Sequence, residues 1–401
     1  MTTGPRTAQA TPDPVGPGDP VGPGEPGEPV DVFVAGTVFL DIVFTGMDAP
    51  PTTGHELWTE GMGSSPGGVA NLAVACSRLG LSTSLAAAFG GDVYGDFCWS
   101  VLEDGEGIEL SPSRRYEGWH SPVTVSMCYD DDRAMVTHGH PPPTTADAMI
   151  GKPPAARVCF TELGGDISEL HGLAQPAWVT RASTSGSMIF TDVGWDATEV
   201  WDVAALRRGL EGCHAFVPNA DEAMAYTRTD SPGAALDAMR DWVPLAVVTL
   251  GSGGALAADD LTGETAWAPA VPVEALDPTG AGDVFLASLV LGTLRDWPLQ
   301  QRLRFANLCA ALSVRDFGGA LAAPGWGEVH AWWRQVRGTS RRASDYAFLD
   351  EVMPHGPPRR ISRASATIGM RLPLTTTAAL NPDRTSTPEP VQPPAEPEDR
   401  P

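Results

Sequence analysis

The chain has 401 residues and carries a formal net charge of −24 at pH 7. This charge argues against a nucleic-acid-binding surface, because neutralising phosphates needs clustered lysine and arginine side chains. Lys152 is the only lysine and Pro153 follows it, which excludes the Gly-Lys-Ser/Thr sequence of a Walker-type ATP-binding loop.

The six cysteines are scattered along the chain, and none of them forms a Cys-x-x-Cys pair. This spacing favours buried, reduced thiols over a disulfide framework or a zinc site of that kind. The N-terminus has no basic patch followed by an apolar core, and no uninterrupted apolar stretch approaches membrane-spanning length. We therefore expect a cytoplasmic protein whose partners include neither a membrane nor a nucleic acid.

Both ends of the chain differ in composition from the middle. Residues 1–29 are dominated by proline, glycine and acidic residues, and residues 338–401 by arginine, serine, threonine and proline. Such segments have too few large apolar side chains to form a core. We predict a disordered leader over 1–29, one folded domain over 30–337 and a disordered tail over 338–401. About 300 residues suffice for one α/β domain with a small appendage.

The first elements of the domain have distinct patterns. Residues 32–35 form an apolar run ending at Gly36, which predicts a buried parallel strand that opens into a loop. Apolar residues recur at helical spacing over 69–79, with Gly67 and Gly68 marking the helix start and Gly80 its C-terminal cap. Alternation over 121–138 predicts strands with one exposed face. We place the strands of a small β lid within about 41–65 and 110–140.

Later apolar runs at residues 157–160, 188–191, 215–217 and 245–250 alternate with helix-like stretches. This alternation is typical of repeated βα units and predicts a mostly parallel central sheet in a three-layer fold. Ligands of such sheets bind beyond the carboxyl ends of the strands. Asp41, Asp192, Asn219 and Gly251 all fall at such ends, so we expect them to act together.

The most informative motif is Asp277-Pro-Thr-Gly-Ala-Gly-Asp-Val-Phe285, which an apolar run follows. It places two glycines and a carboxylate at a helix start, where unpaired N–H groups and the helix dipole favour a phosphate. Asp283 would accept a proton from an attacking hydroxyl while the N–H groups hold charge on the transferred phosphoryl group. The alternative is a glycine turn leading into a core helix, with Asp283 there because acids suit helix N-termini.

Three further segments accompany this motif: Gly67-Gly-Val-Ala-Asn71, Pro218-Asn-Ala-Asp-Glu222 and Val248-Thr-Leu-Gly-Ser-Gly-Gly254. In order and spacing the four segments resemble the ribokinase-like (PfkB) carbohydrate kinase family, over roughly residues 31–328. The resemblance implies an α/β fold, a three-layer αβα sandwich with a mostly parallel central sheet and a small β lid. It also implies transfer of the γ-phosphoryl group of ATP to a hydroxyl of a small sugar or sugar derivative, with Mg²⁺ present.

The resemblance also assigns roles residue by residue. Asp283 matches the catalytic base, and Gly280, Ala281 and Gly282 match the anion hole. The positions that hold the acceptor hydroxyls are Asp41, Gly67, Gly68, Asn71 and Glu162. The nucleotide-side positions are Asn219, Glu222, Thr249, Gly251, Gly254 and Asn307. Asn219 and Glu222 also match a motif that orders Mg²⁺ through water. Asp277 and Thr279 match positions that contribute to a monovalent-cation site, such as one for K⁺, in some relatives.

Several alternatives stay open at this point. Asn219 and the acids after it also suit a plain helix start with Asn219 as the N-cap. Arg133 lies in the presumed lid, and we favour a solvated surface arginine there over a phosphate or substrate contact. The acceptor is a sugar or a nucleoside, and the lid leaves open a homodimer.

Two other classes of protein compete with the kinase. One is a non-catalytic protein of the same fold that senses a metabolite, against which the retained Asp283 and its glycines argue. The other is a dinucleotide-binding oxidoreductase, which is disfavoured because residues 61–66 break the required glycine pattern and add a proline.

Overall fold

The computed structural model describes residues 29–129, 132–164, 172–196, 198–338, 341–357 and 359–366. The predicted leader, apart from Pro29, and the predicted tail beyond residue 366 lie outside the described residues. Within the described ranges, no helix is long and apolar enough to cross a membrane. All six cysteines are buried and free, as their spacing predicted.

The described residues form fourteen strands and eleven α-helices. The strands are β1 (Val30–Ala35), β2 (Val38–Thr45), β3 (Gly61–Gly68), β4 (Thr83–Ala86), β5 (Ala88–Gly90), β6 (Arg114–Tyr116), β7 (Val123–Tyr129), β8 (Asp132–His138), β9 (Ala156–Leu163), β10 (Met188–Val193), β11 (Ala215–Phe216), β12 (Leu245–Thr249), β13 (Ala255–Asp259) and β14 (Glu264–Ala268). The helices are α1 (Ala70–Arg78), α2 (Val93–Ser100), α3 (Ala146–Ile150), α4 (Ala177–Thr184), α5 (Val203–Gly209), α6 (Ala220–Thr227), α7 (Pro232–Met239), α8 (Ala281–Leu294), α9 (Leu299–Ser313), α10 (Trp326–Val336) and α11 (Leu349–Val352).

Eight of these strands make the central sheet, in the order β14-β13-β12-β11-β10-β9-β1-β4. The strands from β12 to β4 pair in parallel, and β13 and β14 extend the sheet as an antiparallel edge. The predicted mostly parallel sheet is therefore confirmed. All its parallel strands end at one edge, where βα loops place polar side chains close together.

Helices cover both faces of this sheet, because the central strands are apolar on both sides. In β1, Val32 and Val34 pack into one core with residues of α1, α8 and α9, whereas Phe33 packs into the other core. That second core contains residues of α4, α5, α6 and α7, among them Trp178, whose ring meets Phe33 edge-on at 5.4 Å. The fold is the predicted three-layer αβα sandwich.

A second sheet, which we call the lid, contains four strands in the order β3-β2-β7-β8. In β7 buried and partly exposed residues alternate, as expected of a sheet with one covered face. The structure corrects two details of the prediction. Asp41 lies inside lid strand β2 rather than at the end of a central strand, and Gly67 and Gly68 end strand β3, so α1 begins only at Ala70.

The described chain continues past residue 337, where we placed the end of the domain. Residues 359–366, here called the C-terminal strap, lie against the domain. Ser64 in the lid donates its N–H to Ser365 O at 2.8 Å, and Arg363 Nη1 donates to Leu321 O and Ala322 O at 3.1 Å each. The folded contacts therefore reach at least to Ser365.

Candidate active site

The start of α8 has the backbone geometry that an anion site needs. Gly280 is the N-cap in a left-handed conformation, φ 77°, which favours glycine. Ala281 N–H donates to Pro278 O at 3.2 Å, which closes the turn before the helix. Gly282 is exposed, and a Cβ added there would meet no atom within 4 Å. The first helical turn is thus open to a ligand along its backbone.

Asp283 lies in the first turn of α8 and is only partly exposed. Desolvation by the surrounding protein raises its pKa to about 7, and the nearby charge of Glu162 acts in the same direction. Asn71 Nδ2 donates to Asp283 Oδ2 at 3.2 Å, which favours the ionised form. The carboxyl group is therefore poised to gain or lose a proton near neutral pH.

Asn71 reaches this carboxylate from the first turn of α1, and its side chain is 6% exposed. Among the described residues, its Oδ1 atom has no hydrogen-bond partner although it is buried. A buried amide oxygen is normally paired, so an acceptor held without a partner next to Asp283 fits a donor brought by a ligand.

Asp41 approaches the same region from lid strand β2, where it pairs with Ser65 of β3. A Cβ on Gly67 would collide with the Asp41 carboxylate, and a Cβ on Gly68 with Thr37 O. Gly67 is needed for the close approach of Asp41 and Gly68 for that of the Thr37 backbone, rather than for starting a helix. Desolvation raises the pKa of Asp41 to about 7, and the negative charges of Asp277 and Asp283 add to the rise.

Arg133, on lid strand β8, is only partly exposed, and its charge acts on this group of acids. Its positive charge lowers the pKa of both Asp41 and Asp283 against the desolvation that raises them. The sequence led us to favour a solvated surface arginine, and the structure overturns that preference. The alternation of β8 predicted two faces for this strand, but which face meets the domain depends on how the lid packs.

Three more carboxylates meet at the carboxyl edge of the central sheet. Glu162 on β9 pairs in register with Asp192 on β10, and Glu222 lies in the first turn of α6. Desolvation raises the pKa of each group, and the neighbouring charges of Glu222 and Glu162 further raise that of Asp192. The sequence pattern predicts Asp192 at this edge, and the structure adds its carboxylate to the predicted site residues.

Asn219 and Glu222 form a capping box at the start of α6. Asn219 Oδ1 accepts from Glu222 N–H at 3.0 Å, and Glu222 Oε2 accepts from Asn219 N–H at 3.0 Å. The helix-cap interpretation therefore holds for these contacts. The second oxygen of Glu222 is left for other contacts, and its charge acts on Asp192. The cap orients this carboxylate toward the cluster.

The loop after β12 brings Thr249 beside Asn219 through an isolated bridge. Gly251 has φ 53° and Gly254 has φ 97°, and a Cβ on Gly254 would collide with Ala268 O. Asn307 on α9 reaches the same strand end, where its Nδ2 donates to Ala268 O at 2.9 Å and to Pro269 O at 3.3 Å. Asn307 thus holds the backbone beside this loop.

Asp277 is buried and fixes the turn that leads into α8. Its two carboxylate oxygens accept from Thr279 N–H at 2.9 Å and from Gly318 N–H at 3.0 Å. Thr279 Oγ1 is buried and has no hydrogen-bond partner among the described residues. Asp277 therefore joins the α8 motif to the loop at residue 318.

A cavity of about 90 Å³ adjoins Glu162. Its wall includes Thr37 after β1, Met149 on α3 and two rings that the sequence did not single out, Trp119 and His140. It gives the acid cluster a neighbouring surface that is largely apolar, which suits the non-reacting part of a small ligand.

The profile of the pfkB family carbohydrate kinases matches residues 59–325. Since this match spans well over half of the chain, the protein belongs to the pfkB carbohydrate kinase family. It is accordingly an ATP-dependent carbohydrate kinase, as the motifs predicted.

Two characterised relatives illustrate the range of this family. A nucleoside kinase of Methanothermobacter thermautotrophicus is 29% identical over 279 residues, which cover 66% of this chain and 82% of the relative. Fructokinase-2 of Zea mays is 27% identical over 292 residues, which cover 66% of this chain and 84% of the relative. A sugar kinase and a nucleoside kinase thus have similar sequence identity to this chain.

Solved structures show the same fold. A putative ribokinase from Agrobacterium tumefaciens superposes with a TM-score of 0.64 at 21% identity, covering 77% of this chain and 98% of that one. Arabidopsis thaliana ribokinase complexed with ribose and ATP gives a TM-score of 0.61 at 20% identity, covering 76% and 98%. The fold is ribokinase-like.

Proposed function

We propose that this kinase moves the γ-phosphoryl group of ATP to a hydroxyl of a small sugar or sugar derivative, with Asp283 as the base. The observation that carries the proposal is the placement of Asp283. It lies in the first turn of α8, next to an open backbone, and it is hydrogen-bonded to the buried Asn71. A base with a pKa of about 7 is matched to proton abstraction at neutral pH.

The N–H groups of Gly280 and Gly282 are the proposed anion hole, on either side of Ala281, whose own N–H donates to Pro278 O. Helix N-terminal N–H groups have no partner four residues before them, and the helix dipole adds positive potential there. Phosphoryl transfer asks the protein mainly for positioning and charge stabilisation. Gly280 and Gly282 allow the close approach that both require, and Asp283 stands one residue further on.

The acceptor hydroxyls are proposed to lie between the lid and the domain. Asp41 from β2, Asn71 from α1 and Glu162 from β9 supply carboxylate and amide oxygens, which pair well with the hydroxyls of a polyol. Gly67 leaves room for the Asp41 carboxylate, and Gly68 leaves room for the Thr37 backbone. Arg133 adds a positive charge that limits repulsion between these acids and an incoming phosphate.

Mg²⁺ is the cofactor that the acid cluster fits. Glu162, Asp192 and Glu222 are hard oxygen donors, and crowding with partial desolvation raises their pKa values, which a cation would reverse. Bound Mg²⁺ would neutralise phosphate charge, and Asn219 and Glu222 would act on it through water. We expect Asp192→Asn to raise the Mg²⁺ concentration for half-maximal activity by about tenfold, with the exposed acid Asp237→Asn as the control.

A K⁺ site beside the anion hole is proposed at Asp277 and Thr279, where the unpartnered Thr279 Oγ1 offers an oxygen ligand. Activity measured in KCl against NaCl and choline chloride tests it. Equal rates in the three salts would remove this part of the proposal.

The deciding experiment is a screen of sugars and nucleosides for ATP consumption, with Asp283→Asn as the matched control. Loss of the base should lower kcat by roughly 10²- to 10⁴-fold while thermal unfolding shows a folded protein. Turnover that survives in Asp283→Asn would refute the assignment of the base. Metabolite binding without ATP consumption, in both proteins, would instead identify a sensor.

A nucleoside acceptor is the second candidate. The cavity beside Glu162 is lined by Trp119, Met149 and Pro142, which offers the apolar wall that a nucleobase needs. Trp119→Ala should then raise the KM of a nucleoside more than that of a free sugar.

A homodimer through the lid is proposed as well, since Met135 and Val136 on β8 are 54% and 63% exposed. A single sedimenting species of monomer mass in analytical ultracentrifugation would exclude the homodimer.

A further inference from the structure

Three histidines lie together at one corner of the lid, and none of them takes part in the proposed chemistry. His120 precedes β7, His138 ends β8 and His140 follows it. Their ring centroids are 5.0–5.2 Å apart, and one ligand nitrogen from each ring lies within 4.8 Å of the other two. Ligand atoms this close together can hold one metal ion.

The chain arrangement explains why the rings converge. His138 is the last residue of β8 and His140 follows it two residues later, so the two rings are close neighbours along the chain. His138 also pairs in register with Val123, the first residue of β7, and His120 lies just before that strand. The hairpin register therefore brings the third ring to the other two.

The surrounding backbone is held in place on both sides. Trp119 Nε1 donates to Pro141 O at 3.1 Å, which ties the loop of His120 to the segment of His140. Ser121 N–H donates to Asp92 Oδ2 at 2.7 Å, and Ser121 Oγ accepts from Gly90 N–H at 2.9 Å. The cluster is thus built on anchored segments.

We propose that His120, His138 and His140 form a site for a borderline divalent transition-metal ion, with Zn²⁺ as the expected occupant. Three imidazoles and one open position are a common Zn²⁺ arrangement, with Zn–N distances of about 2.0–2.1 Å. Such distances place the ligand nitrogens about 3.4 Å apart, so the rings need to close by little more than ~1 Å, which side-chain rotation supplies. The scattered cysteines excluded only a thiolate site.

The metal would join the lid to the wall of the cavity beside Glu162. His138 belongs to lid strand β8, whereas His140 lines that cavity together with Trp119. A bound ion would fix the end of the β7–β8 hairpin against the loop of His120. The site therefore differs in chemistry from the Mg²⁺ ligands proposed above, which are all oxygens.

Titration of the full-length, untagged chain with Co²⁺ tests this proposal, with excess Mg²⁺ present to occupy the carboxylates. We expect one Co²⁺ per chain, visible d–d absorption typical of nitrogen-ligated four-coordinate Co²⁺, and displacement by Zn²⁺. His138→Ala and His140→Ala, made separately so that one folding failure does not end the test, should each weaken binding by more than about tenfold. His55→Ala, which removes an exposed histidine elsewhere, should bind as the parent does.

Circular dichroism verifies that each variant is folded, and Zn²⁺ should raise the Tm of the parent and of His55→Ala but not of the two cluster variants. Co²⁺ binding of unchanged affinity and spectrum in both folded cluster variants would overturn the proposal. Absence of stoichiometric binding in the parent would overturn it equally, leaving a cluster of stacked rings without a metal function.

Discussion

Asn71 and Asp283 are 212 residues apart in the chain, yet a hydrogen bond of 3.2 Å joins their side chains. The bond connects the first turn of α1 to the first turn of α8, so it couples the glycine motif near residue 67 to the motif at residue 280. Because Asn71 donates to the ionised carboxyl group, it opposes the desolvation that raises the pKa of Asp283.

We predict that Asn71→Ala moves the acid limb of the kcat/KM profile to higher pH. Removing the donor raises the pKa of Asp283 above its value of about 7, and a hydrogen bond to a charged group is worth about 1.5–3 kcal/mol. Since one pKa unit corresponds to about 1.4 kcal/mol, the shift should be on the order of one pH unit. Asn307→Ala is the matched control, because Asn307 contacts only backbone near residue 268. An acid limb that stays in place would contradict the role given to Asn71.

The stability of the protein should fall as the pH rises toward 8. The pKa of Asp41 is about 7 in the folded state against about 3.9 for an aspartate in an unfolded chain, so the folded chain retains a proton that the unfolded chain loses. The stability that this proton contributes is present in full below the unfolded-state pKa of Asp41 and is lost as the pH rises through its folded-state pKa. Urea unfolding of Asp41→Asn between pH 5 and 8 should show a smaller decline than the parent, by at least about 1 kcal/mol. Parallel curves for the two proteins would show that Asp41 does not carry this dependence.

Gly67→Ala should damage the site more than the fold. The added Cβ collides with the Asp41 carboxylate, so Asp41 must move from the proposed acceptor position. We expect the KM of the acceptor to rise at least about tenfold, which corresponds to about 1.4 kcal/mol of lost binding. Gly233→Ala in α7 is the control, since a Cβ there meets no atom within 4 Å. Equal kinetics in the two variants would argue against close contact between Gly67 and Asp41.

Arg363→Ala should destabilise the folded domain even though Arg363 lies beyond the predicted boundary. Its guanidinium group donates to Leu321 O and Ala322 O and pairs with Asp316 and Glu328. Loss of these contacts should cost about 1–3 kcal/mol in chemical denaturation. The exposed pair of Arg240 with Asp260 is the comparison, and Arg240→Ala should cost less than about 1 kcal/mol. A similar, small cost for both would mean that the strap adds little stability.

The layered fold was predictable because it depends on local pattern. The apolar runs of β1, β9, β10 and β12 mark buried parallel strands, and the glycine motif before α8 marks a helix start whatever the rest of the chain does. Both signals are local features of the sequence, so the sandwich and the place of Asp283 could be predicted from the sequence.

What the sequence did not reveal depends on packing between distant segments. Arg133 was judged a surface residue because alternation in β8 does not tell which face meets the domain. Asp192 was seen at a strand end, but its partnership with Glu162 follows from the register of β9 with β10. The three histidines converge through the β7–β8 register, and the C-terminal strap has a composition that resembles a disordered tail although Arg363 and Ser365 find partners.

The bond from Ser64 N–H to Ser365 O makes the two edges of the lid unequal. Strand β3 at one edge is attached to the strap, which Arg363 in turn fastens to the domain, whereas β8 forms the opposite edge. Opening of the lid must therefore break this bond or bend around it, so the largest displacement is expected at β8. Amide protons of β8 should accordingly exchange with deuterium sooner than those of β3.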